Sequence, residues 1–339
     1  MAARPLSEAI LNYTVSWTRV DWPVDWGTVF GRSGPLVVEV GFGTGEFLVD
    51  RARAHPEMDF VGIERSWVSV QRLFRRLDRG GPENVRVVHG AADFVLERLF
   101  SAESLAQVYI NFPDPWPKER HHGRRLIQPA FAQVLAERLA PGGTVTVATD
   151  HGGYASWISE ILGSQPLLRS GFRTPSVCRI RGRKPTKYER KALDAGASVR
   201  YFVWRRNAGG AMARTVEKVG PMPNMLLKGK YDRDRLPADF EACSWQTEHR
   251  GVTVVVKLAA LYTDRNGDSL VEALVKEGAF SQHFGVLVLA RPGNRVLIKL
   301  SPIGQPRPTW GVKQAVGRVG EMVLTRCPGL SVAESAVGR

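Results

Sequence analysis

The sequence predicts an α/β protein with a mostly parallel, doubly wound β-sheet, followed by a small C-terminal α+β module. From residue 36 to about residue 205, short apolar runs alternate with segments of helical periodicity, a pattern typical of β-α-β units around a buried parallel sheet. A stretch rich in glycine and proline follows, and the pattern of elements changes after it. We therefore expect an N-terminal arm (residues 1–34) that packs on the sheet domain (35–206), a linker (207–225) and a C-terminal α+β domain (226–339).

The order of elements follows from five apolar runs, each followed by a helical pattern. The strands of the parallel sheet are predicted at residues 36–40, 59–63, 85–88, 107–111 and 144–149. Helices are predicted at residues 46–54, 67–77, 91–100, 127–139 and 154–162, and a further strand of open direction at 199–204. The C-terminal domain is predicted to contain a strand at 251–262, a short helix at 269–277, a hairpin at 285–300 and a helix at 312–324.

Composition narrows the class of partner. The chain has 339 residues, more than a single core usually serves, and a formal net charge of +14. Such a charge favours a polyanionic partner, and nucleic acid is favoured over a membrane because the basic residues do not follow an amphipathic helix. Three widely spaced cysteines, Cys178, Cys243 and Cys327, predict neither a disulfide framework nor a zinc site. With no uncharged apolar segment of about 18 residues, we expect a cytoplasmic protein without a metal and without a membrane partner.

Acidic residues follow five of the predicted strands, at the edge where doubly wound sheets bind ligands. These acids are Glu39, Glu64, Asp93, Asp114 and Asp150. A single acid after a strand is more often the N-cap of the next helix. Five acids at one edge favour a polar ligand that lies across it.

A glycine-rich turn after the first strand indicates which small ligand binds there. Gly41 and Gly43 let the backbone pass close to a ligand, but the third glycine of a nicotinamide-dinucleotide fingerprint is replaced by Glu46. A pyrophosphate would be repelled by this acid, whereas the ammonium and sulfonium groups of S-adenosylmethionine would be attracted. We therefore predict S-adenosylmethionine as the cofactor, with Glu64 placed to accept its ribose hydroxyls and Asp93 to meet its adenine amino group.

Asp114 lies between Pro113 and Pro115, directly after the fourth strand. Proline fixes φ and lacks an N–H, so the two prolines hold the carboxylate at a nearly rigid turn. Trp116 offers a face for base stacking. The cations that follow can contact phosphates, and they are Lys118, Arg120, Arg124 and Arg125. The alternative interpretation is a strand that the prolines terminate, followed by a solvated basic loop.

A second basic stretch, residues 169–191, surrounds a single acid, Glu189. A run of cations is usually a solvated face or a mobile loop. A carboxylate among cations would disfavour phosphate binding unless a base donates hydrogen bonds to it. The residues alone leave these two interpretations about equal.

Five segments of the chain carry a resemblance to a known family. They are residues 39–46, 62–64, 111–118 with the basic run to 125, 148–150 and 186–189. In this order they are similar to the motifs of the TrmB family of bacterial tRNA (guanine-N7)-methyltransferases. The resemblance implies a class I Rossmann-like, S-adenosylmethionine-dependent methyltransferase that acts on guanine 46 in the variable loop of tRNA. Family members usually end soon after the strand that matches 199–206, whereas this chain continues to residue 339.

The resemblance also implies roles for single residues. The cofactor would be contacted or bordered by Glu39, Glu64, Asp93 and Asp114, together with the turn at Gly41 and Gly43. The target guanosine would be bound by Lys118, Asp150, Thr186, Lys187, Tyr188 and Glu189. The tRNA would be contacted by Arg120, His121, His122, Gly123, Arg124 and Arg125. Asp114 would be the residue tied to catalysis.

The chemistry sets the expected role of Asp114. N7 of guanine carries a lone pair and no proton, so in-line attack on a sulfonium methyl needs no general base. We expect Asp114 to act by positioning and by electrostatic stabilisation of the purine, which becomes cationic.

Two other functions stay open at this point. One is a methyltransferase that modifies ribosomal RNA or a small molecule, and the other is an RNA-binding protein that retains the pocket without activity. A carboxylate fixed between prolines argues against the latter, because binding alone would not require it. The role of the C-terminal domain and the choice between a monomer and a homodimer stay open as well.

Overall fold

The computed structural model describes residues 12–17, 19–78, 80–183, 185–208, 221–278, 280–304 and 306–337. These residues form two compact units, one before and one after residues 209–220. Each unit has its own sheet and its own buried apolar core.

The first unit is built on a seven-stranded sheet. Its strands are β1 (Leu36–Val40), β2 (Asp59–Glu64), β3 (Val85–His89), β4 (Leu105–Asn111), β5 (Leu139–Thr149), β6 (Leu168–Ser170) and β7 (Arg200–Arg206). In space they follow the order β3-β2-β1-β4-β5-β7-β6. β1 to β5 are parallel, whereas β7 pairs antiparallel with both β5 and β6. The predicted, mostly parallel sheet is therefore confirmed, and the strand of open direction is antiparallel.

Helices connect these strands. They are α1 (Trp26–Phe30), α2 (Glu46–Ala54), α3 (Trp67–Leu77), α4 (Ala92–Leu99), α5 (Pro129–Arg138), α6 (Gly152–Gly163) and α7 (Lys187–Asp194). A 3₁₀ helix, Glu119–Arg124, follows β4. The strands β1 and β2 are buried along almost their whole length, as expected for parallel strands that helices cover on both faces. The basic stretch 169–191, for which the sequence predicts no regular element, contains part of β6 and most of α7.

The described part of the N-terminal arm packs against α4 and the residue that follows it. The ring of Trp22 meets Phe94 with centroids 5.2 Å apart, and Trp26 stacks on Phe100 at 4.9 Å. The indole N–H of Trp26 donates to the carbonyl of Leu99 at 3.1 Å. Both indoles are buried, so the burial of apolar surface holds the arm in place. Residues 1–11 lie outside the described residues.

The second unit is a seven-stranded antiparallel sheet with a long helix on one face. Its strands are β8 (Asn224–Gly229), β9 (Cys243–His249), β10 (Val252–Thr263), β11 (Ser269–Glu277), β12 (Phe280–Arg291), β13 (Arg295–Leu300) and β14 (Leu330–Ser335). They follow the order β14-β8-β13-β12-β11-β10-β9. The helices are α8 (Arg235–Ala238) and α9 (Trp310–Arg326), and the apolar side of α9 packs on the sheet. Among the residues that the structure describes, no helix has both the length and the apolar character needed to cross a membrane.

Two expectations for this part of the chain are corrected. Residues 269–277 form strand β11 and not a short helix, with Val271, Ala273 and Val275 buried and Leu274 exposed between them. This alternation has the period of a strand, and β10 and β12 supply backbone hydrogen bonds on both sides. The predicted strand, hairpin and later helix of this unit are confirmed. β8 begins at Asn224, so the last residues assigned to the linker belong to the sheet.

Gly62→Ala tests the packing beneath the glycine-rich turn. A Cβ at this position of β2 would lie 2.6 Å from Leu48 Cδ2 and 2.7 Å from Phe42 Cδ1. We expect the variant to lose about 1–3 kcal/mol in the free energy of unfolding of the first unit, because overpacking forces buried neighbours apart. Gly152→Ala is the matched control, since nothing lies within 4 Å of the Cβ that it would add. Urea unfolding measures both variants, and equal stabilities would contradict this packing.

Candidate active site

The strand order of the first unit reverses between β1 and β4, which places a crevice at the carboxyl ends of these strands. Glu39 of β1 and Asn111 of β4 meet across it, because Asn111 Nδ2 donates to Glu39 Oε1 at 3.0 Å. Glu64 ends β2 at the same edge, close enough for its charge to act on Glu39. The remaining acids follow β3, β4 and β5 at this edge, and they are Asp93, Asp114 and Asp150. The structure thus brings all five predicted acids to one edge of the sheet.

A glycine-rich turn links β1 to α2. Gly41, Gly43 and Gly45 have φ values of +68°, +55° and +70°, in the left-handed region that residues with a Cβ rarely adopt. Glu64 braces the turn, because its Oε2 accepts from the backbone N–H of Gly43 at 3.0 Å. Its Oε1 accepts from the backbone N–H groups of Arg65 and Ser66, each at 2.8 Å. Oε1 thus already accepts two hydrogen bonds, whereas Oε2 accepts one and can accept one more. Glu64 can therefore serve a ribose hydroxyl of a ligand while it supports the turn.

Glu39 is a buried carboxyl group with an unfilled acceptor. The residue is 3% exposed, and burial raises its pKa to about 7, against the opposing effects of the Asn111 hydrogen bond and the Arg183 charge. Its Oε2 has no hydrogen bond of good geometry among the described residues, and the N–H of Leu48 is the smallest of the five causes that shift the pKa. Ionising such a group is costly unless a cation compensates it. The site therefore fits a ligand that carries positive charge and N–H donors, as S-adenosylmethionine does.

Asp93 lies in the first turn of α4, where a negative charge is stabilised by the helix dipole. Its Oδ1 accepts from the backbone N–H of Phe94 at 2.8 Å. The residue is partly exposed, so it can also accept a hydrogen bond from a ligand beyond the end of β3.

The loop after β4 holds Asp114 on a strained backbone. Phe112 and Trp116, each two residues from Asp114, have φ values of +52° and +42°. Left-handed conformations cost residues with a Cβ about 1–3 kcal/mol each and cluster at functional sites. Arg125 supports the loop by donating from Nε to the carbonyl of Pro115 at 2.9 Å. The carboxylate of Asp114 is exposed and makes no hydrogen bond to any described residue, so it is available to a ligand.

Exposed cations stand beside this loop. The side chains of Lys118, Arg120 and Arg124 are exposed, and the Arg124 guanidinium lies 5.1 Å from the centroid of the Trp116 ring. His121 packs edge-on against the same indole, with centroids 5.9 Å apart. The 3₁₀ helix thus presents positive charge beside the aromatic face of Trp116, and Gly123 of this helix is exposed.

Arg125 differs from its neighbours because its side chain is buried, and its expected contact with RNA stays a prediction. The residue is 4% exposed, and its guanidinium lies over the rings of Tyr154 and Trp157, at 5.1 and 5.2 Å from their centroids. Its Nη2 is 2.8 Å from Nε2 of His122. The guanidinium therefore braces the Asp114 loop from the inside of the protein.

The helix α7 lies over the glycine-rich turn. The ring of Tyr188, a residue 58% exposed, has its Cε2 atom 3.8 Å from the point that a Cβ on Gly43 would occupy. Arg190 Nη2 donates to Glu46 Oε1 at 2.9 Å. Tyr188 thus presents an aromatic face next to the turn, while the side chain of Lys187 lies outside the described residues.

Glu189 is engaged inside the protein. The residue is 3% exposed; one oxygen accepts from the Tyr201 hydroxyl at 2.5 Å, and the other accepts from the backbone N–H of Thr186 at 3.1 Å. Thr186 Oγ1 in turn accepts from the N–H of Glu189, which completes a capping box at the start of α7. The predicted contact of these two residues with a guanosine stays a prediction. Asp150, by contrast, is exposed after β5.

Two residues of the crevice received no role from the sequence. Asn111 Oδ1 accepts from Arg183 Nη2 at 2.6 Å, and Arg183 also pairs with Glu189 at 3.4 Å. The guanidinium lies over two aromatic rings and is nearly buried. A polar residue at the end of the apolar run of β4 is a usable signal for Asn111. Arg183 is one of many cations in the stretch 169–191, and nothing in the sequence sets it apart.

The described ranges contain no group of three or more His, Cys, Asp or Glu side chains that could hold a metal ion. The three cysteines are free thiols.

Comparisons with known proteins agree with this geometry. A family model described as "Putative methyltransferase" matches residues 33–201. A tRNA (guanine-N(7)-)-methyltransferase of Nocardia farcinica is 42% identical over 202 residues, which cover 56% of this chain and 75% of that protein. Enzymes of the same name from Thermotoga maritima and Mycobacterium avium are 35% identical over 301 residues (88% of this chain, 93% of that protein) and 41% identical over 184 residues (54% and 71%). The Thermotoga alignment is longer than the first unit, so it extends into the second.

Glu39→Gln separates the stability cost of the buried acid from its binding role. The carboxyl group has a pKa of 4.5 under ordinary conditions and about 7 in the fold. Between these values the folded protein holds a proton that the unfolded chain has released, so rising pH lowers the stability of the wild type, by about 3 kcal/mol in total. Glutamine carries no such proton. We therefore expect the ligand-free variant to gain stability over the wild type as the pH rises from about 5 to about 8.

Thermal unfolding of the ligand-free protein over this pH range measures the gain. Glu119→Gln, which neutralises an exposed acid, is the control and should show no such trend. A Glu39→Gln variant that parallels the wild type at every pH would show that Glu39 is not a buried acid of raised pKa. The same variant should bind S-adenosylmethionine about tenfold more weakly or worse, because the cation loses a charged acceptor.

Proposed function

This chain belongs to the tRNA (guanine-N(7)-)-methyltransferase family, and we propose that it transfers the methyl group of S-adenosylmethionine to N7 of a guanine in tRNA, with Asp114 beside the reacting base. One observation carries the proposal: a free carboxylate on a strained, rigid loop stands at the same sheet edge as a glycine-rich turn and a buried acid with an unfilled acceptor. The turn and the buried acid suit the methyl donor, S-adenosylmethionine. The exposed carboxylate suits the guanine that accepts the methyl group.

The donor site is formed by the turn and the acids around it. Glu39 would face the positive charge of the cofactor, Glu64 would accept from a ribose hydroxyl, and Asp93 would meet its adenine amino group. Gly41 and Gly43 leave room for the ligand beside the backbone. When bound, S-adenosylmethionine supplies an electrophilic methyl group on a sulfonium ion.

Asp114 acts on the base. Alignment of the N7 lone pair with the methyl group can supply about 7–11 kcal/mol in favourable cases, and it requires a rigid support. Two prolines and two left-handed residues give the Asp114 loop that rigidity. The purine gains positive charge as the methyl arrives, so the carboxylate stabilises the transition state more than the ground state. It also can accept hydrogen bonds from N1–H and the exocyclic amino group of guanine.

The exposed cations would bind the RNA backbone. Lys118, Arg120 and Arg124 can contact phosphates, and the Trp116 indole beside them can stack on a base. Asp150 and Tyr188 are exposed at the carboxyl edge and over the glycine turn, which supports them as contacts to the target nucleoside. By family resemblance the target is guanine 46 of the variable loop.

A direct experiment tests this assignment. The purified chain is incubated with labelled S-adenosylmethionine and bulk tRNA, and N7-methylguanosine is mapped by chemical cleavage. Cleavage at guanine 46 supports the proposal. Label in ribosomal RNA but not in tRNA, or label at another atom of the base, would overturn it.

Asp114→Asn tests the catalytic role. The variant keeps the shape of the side chain but loses its charge, so we expect turnover to fall by about a hundredfold or more, as when a transition-state contact is removed. The dissociation constant for tRNA should change by far less. Glu119→Gln is the matched control, since it removes one negative charge at an exposed position of the 3₁₀ helix that follows the loop.

Single-turnover rates and tRNA dissociation constants are measured for both variants. Equal losses of binding and turnover in Asp114→Asn would show that the carboxylate binds RNA and does not assist the reaction. A comparable loss of turnover in Glu119→Gln would point to general electrostatics.

Arg120→Gln should affect tRNA binding and Arg125→Gln should affect stability, although the two residues are near neighbours in the sequence. Arg120 is exposed, so its loss should weaken tRNA binding and reduce the slope of log affinity against log salt by about one. Arg125 is buried against two rings and Pro115, so its loss should lower the melting temperature. Filter binding over a salt series and thermal unfolding measure the two effects. An Arg125→Gln variant with normal stability and weak tRNA binding would reverse the two roles.

A further inference from the structure

Four polar side chains are linked by hydrogen bonds and an ion pair from β1, beside the glycine-rich turn, to α7. Glu39 Oε1 accepts from Asn111 Nδ2 at 3.0 Å, and Asn111 Oδ1 accepts from Arg183 Nη2 at 2.6 Å. Arg183 pairs with Glu189 Oε2 at 3.4 Å. The side chains of Arg183 and Glu189 are 7% and 4% exposed, so water does not replace these contacts. We call Glu39, Asn111, Arg183 and Glu189 the polar relay.

The two ends of the polar relay lie near the sites proposed for two different ligands, S-adenosylmethionine and tRNA. Glu39 lies at the donor site, with one oxygen unfilled. Glu189 is part of the capping box that starts α7, next to the exposed ring of Tyr188. Arg183 is the member that joins the two parts, because its planar guanidinium can hold acceptors on two separate elements at once.

Contacts outside the polar relay also hold α7 against the glycine-rich turn. The Tyr188 ring lies beside Gly43, and Arg190 pairs with Glu46 at 2.9 Å. A ligand in the turn therefore meets a surface that α7 helps to form. Whatever holds α7 in this position prepares both the donor site and the base-binding side of the crevice.

We propose that Arg183 is a positioning residue that couples the two sites, so that occupancy of the donor site strengthens tRNA binding and tRNA strengthens donor binding. The inference rests on the proposed function for the identity of the two ligands. A cation beside Glu39 favours its charged form, which accepts a stronger hydrogen bond from Asn111. The polarised amide is then a better acceptor for Arg183, which holds Glu189 and the start of α7 in place. Because coupling of binding free energies is reciprocal, tRNA held by α7 must in turn favour the donor.

The coupling is measured by calorimetric titration of S-adenosylhomocysteine into the full chain, with and without an unmodified tRNA transcript. The demethylated product is used so that no reaction occurs during the titration; it has lost the sulfonium charge but keeps the ammonium group as the cation for Glu39. We expect the wild type to bind it at least about fivefold more tightly when tRNA is present, the lower end of ordinary allosteric coupling. In Arg183→Met this ratio should fall close to one.

Tyr201→Phe is the matched control. Tyr201 donates to the other oxygen of Glu189, so the variant disturbs the same end of α7 but leaves the bond between Arg183 and Asn111 in place. We expect it to keep the ratio of the wild type. If it lost the ratio as fully as Arg183→Met does, general support of α7 would explain both results, and the relay would be refuted.

A second variant and a double variant separate coupling from folding. Arg183→Lys keeps the charge but cannot span both acceptors, so we expect a reduced ratio and a melting temperature closer to that of the wild type than the melting temperature of Arg183→Met. In the absence of tRNA, Arg183→Met combined with Asn111→Ala should weaken S-adenosylhomocysteine binding by less than the sum of the two single losses, because part of the effect of Arg183 on Glu39 passes through Asn111. Additive losses, or a wild-type ratio in either Arg183 variant, would overturn the proposal.

The outcome is distinguishable from a failure of the proposed function. If the wild type formed no N7-methylguanosine in tRNA, the proposed function would be refuted. The double variant in the absence of tRNA would still decide whether Arg183 acts on the donor site through Asn111.

Discussion

A buried carboxyl group at the point where the strand order reverses is the constraint on which the first unit depends. Glu39 keeps an acid inside a parallel sheet, where ionisation is unfavourable. Asn111 satisfies one of its oxygens, the Arg183 charge acts on it, and the other oxygen is buried with no hydrogen bond among the described residues. A protein with no ligand at this edge would be more stable without the acid. The arrangement is therefore consistent with selection for binding a cation and not for stability.

The acids of the crevice show how burial assigns different tasks to one type of side chain. Glu39 is buried with one oxygen unpaired among the described residues, whereas Glu64 holds the turn through the N–H of Gly43 and also accepts from the two N–H groups that follow it in the chain. Glu189 is buried but fully engaged by donors of the protein, so it serves the start of α7. Asp114 is exposed, unbonded among the described residues and held by a strained backbone. Of these four, it is the acid that can approach a base without first breaking a contact of its own.

The strands and site residues that could be predicted from the sequence are those that a local residue pattern determines. The apolar runs of β1 to β5 and the acids at their ends follow from periodicity and from the rule for doubly wound sheets. β11 could not be assigned in this way, because its leucine, alanine, glutamate and lysine residues favour a helix and only pairing with β10 and β12 decides. Arg125 and Arg183 were indistinguishable from solvated cations, since both roles arise from contacts with residues far away in the sequence. Sequence shows where charges are dense, but burial decides which of them bind a partner and which hold the fold.

The second unit is best understood as a module with its own stability. Its core is formed by side chains from residue 225 onward, and α9 closes that core against its own sheet. The proposed donor, base and RNA contacts all come from residues before the end of β7. The Thermotoga relative aligns with this chain far beyond that strand, so the extension is shared and is not peculiar to one sequence. Because the two cores use separate sets of residues, such a module can be added to the methyltransferase sheet without altering the packing that places Glu39 and Asp114 at its edge.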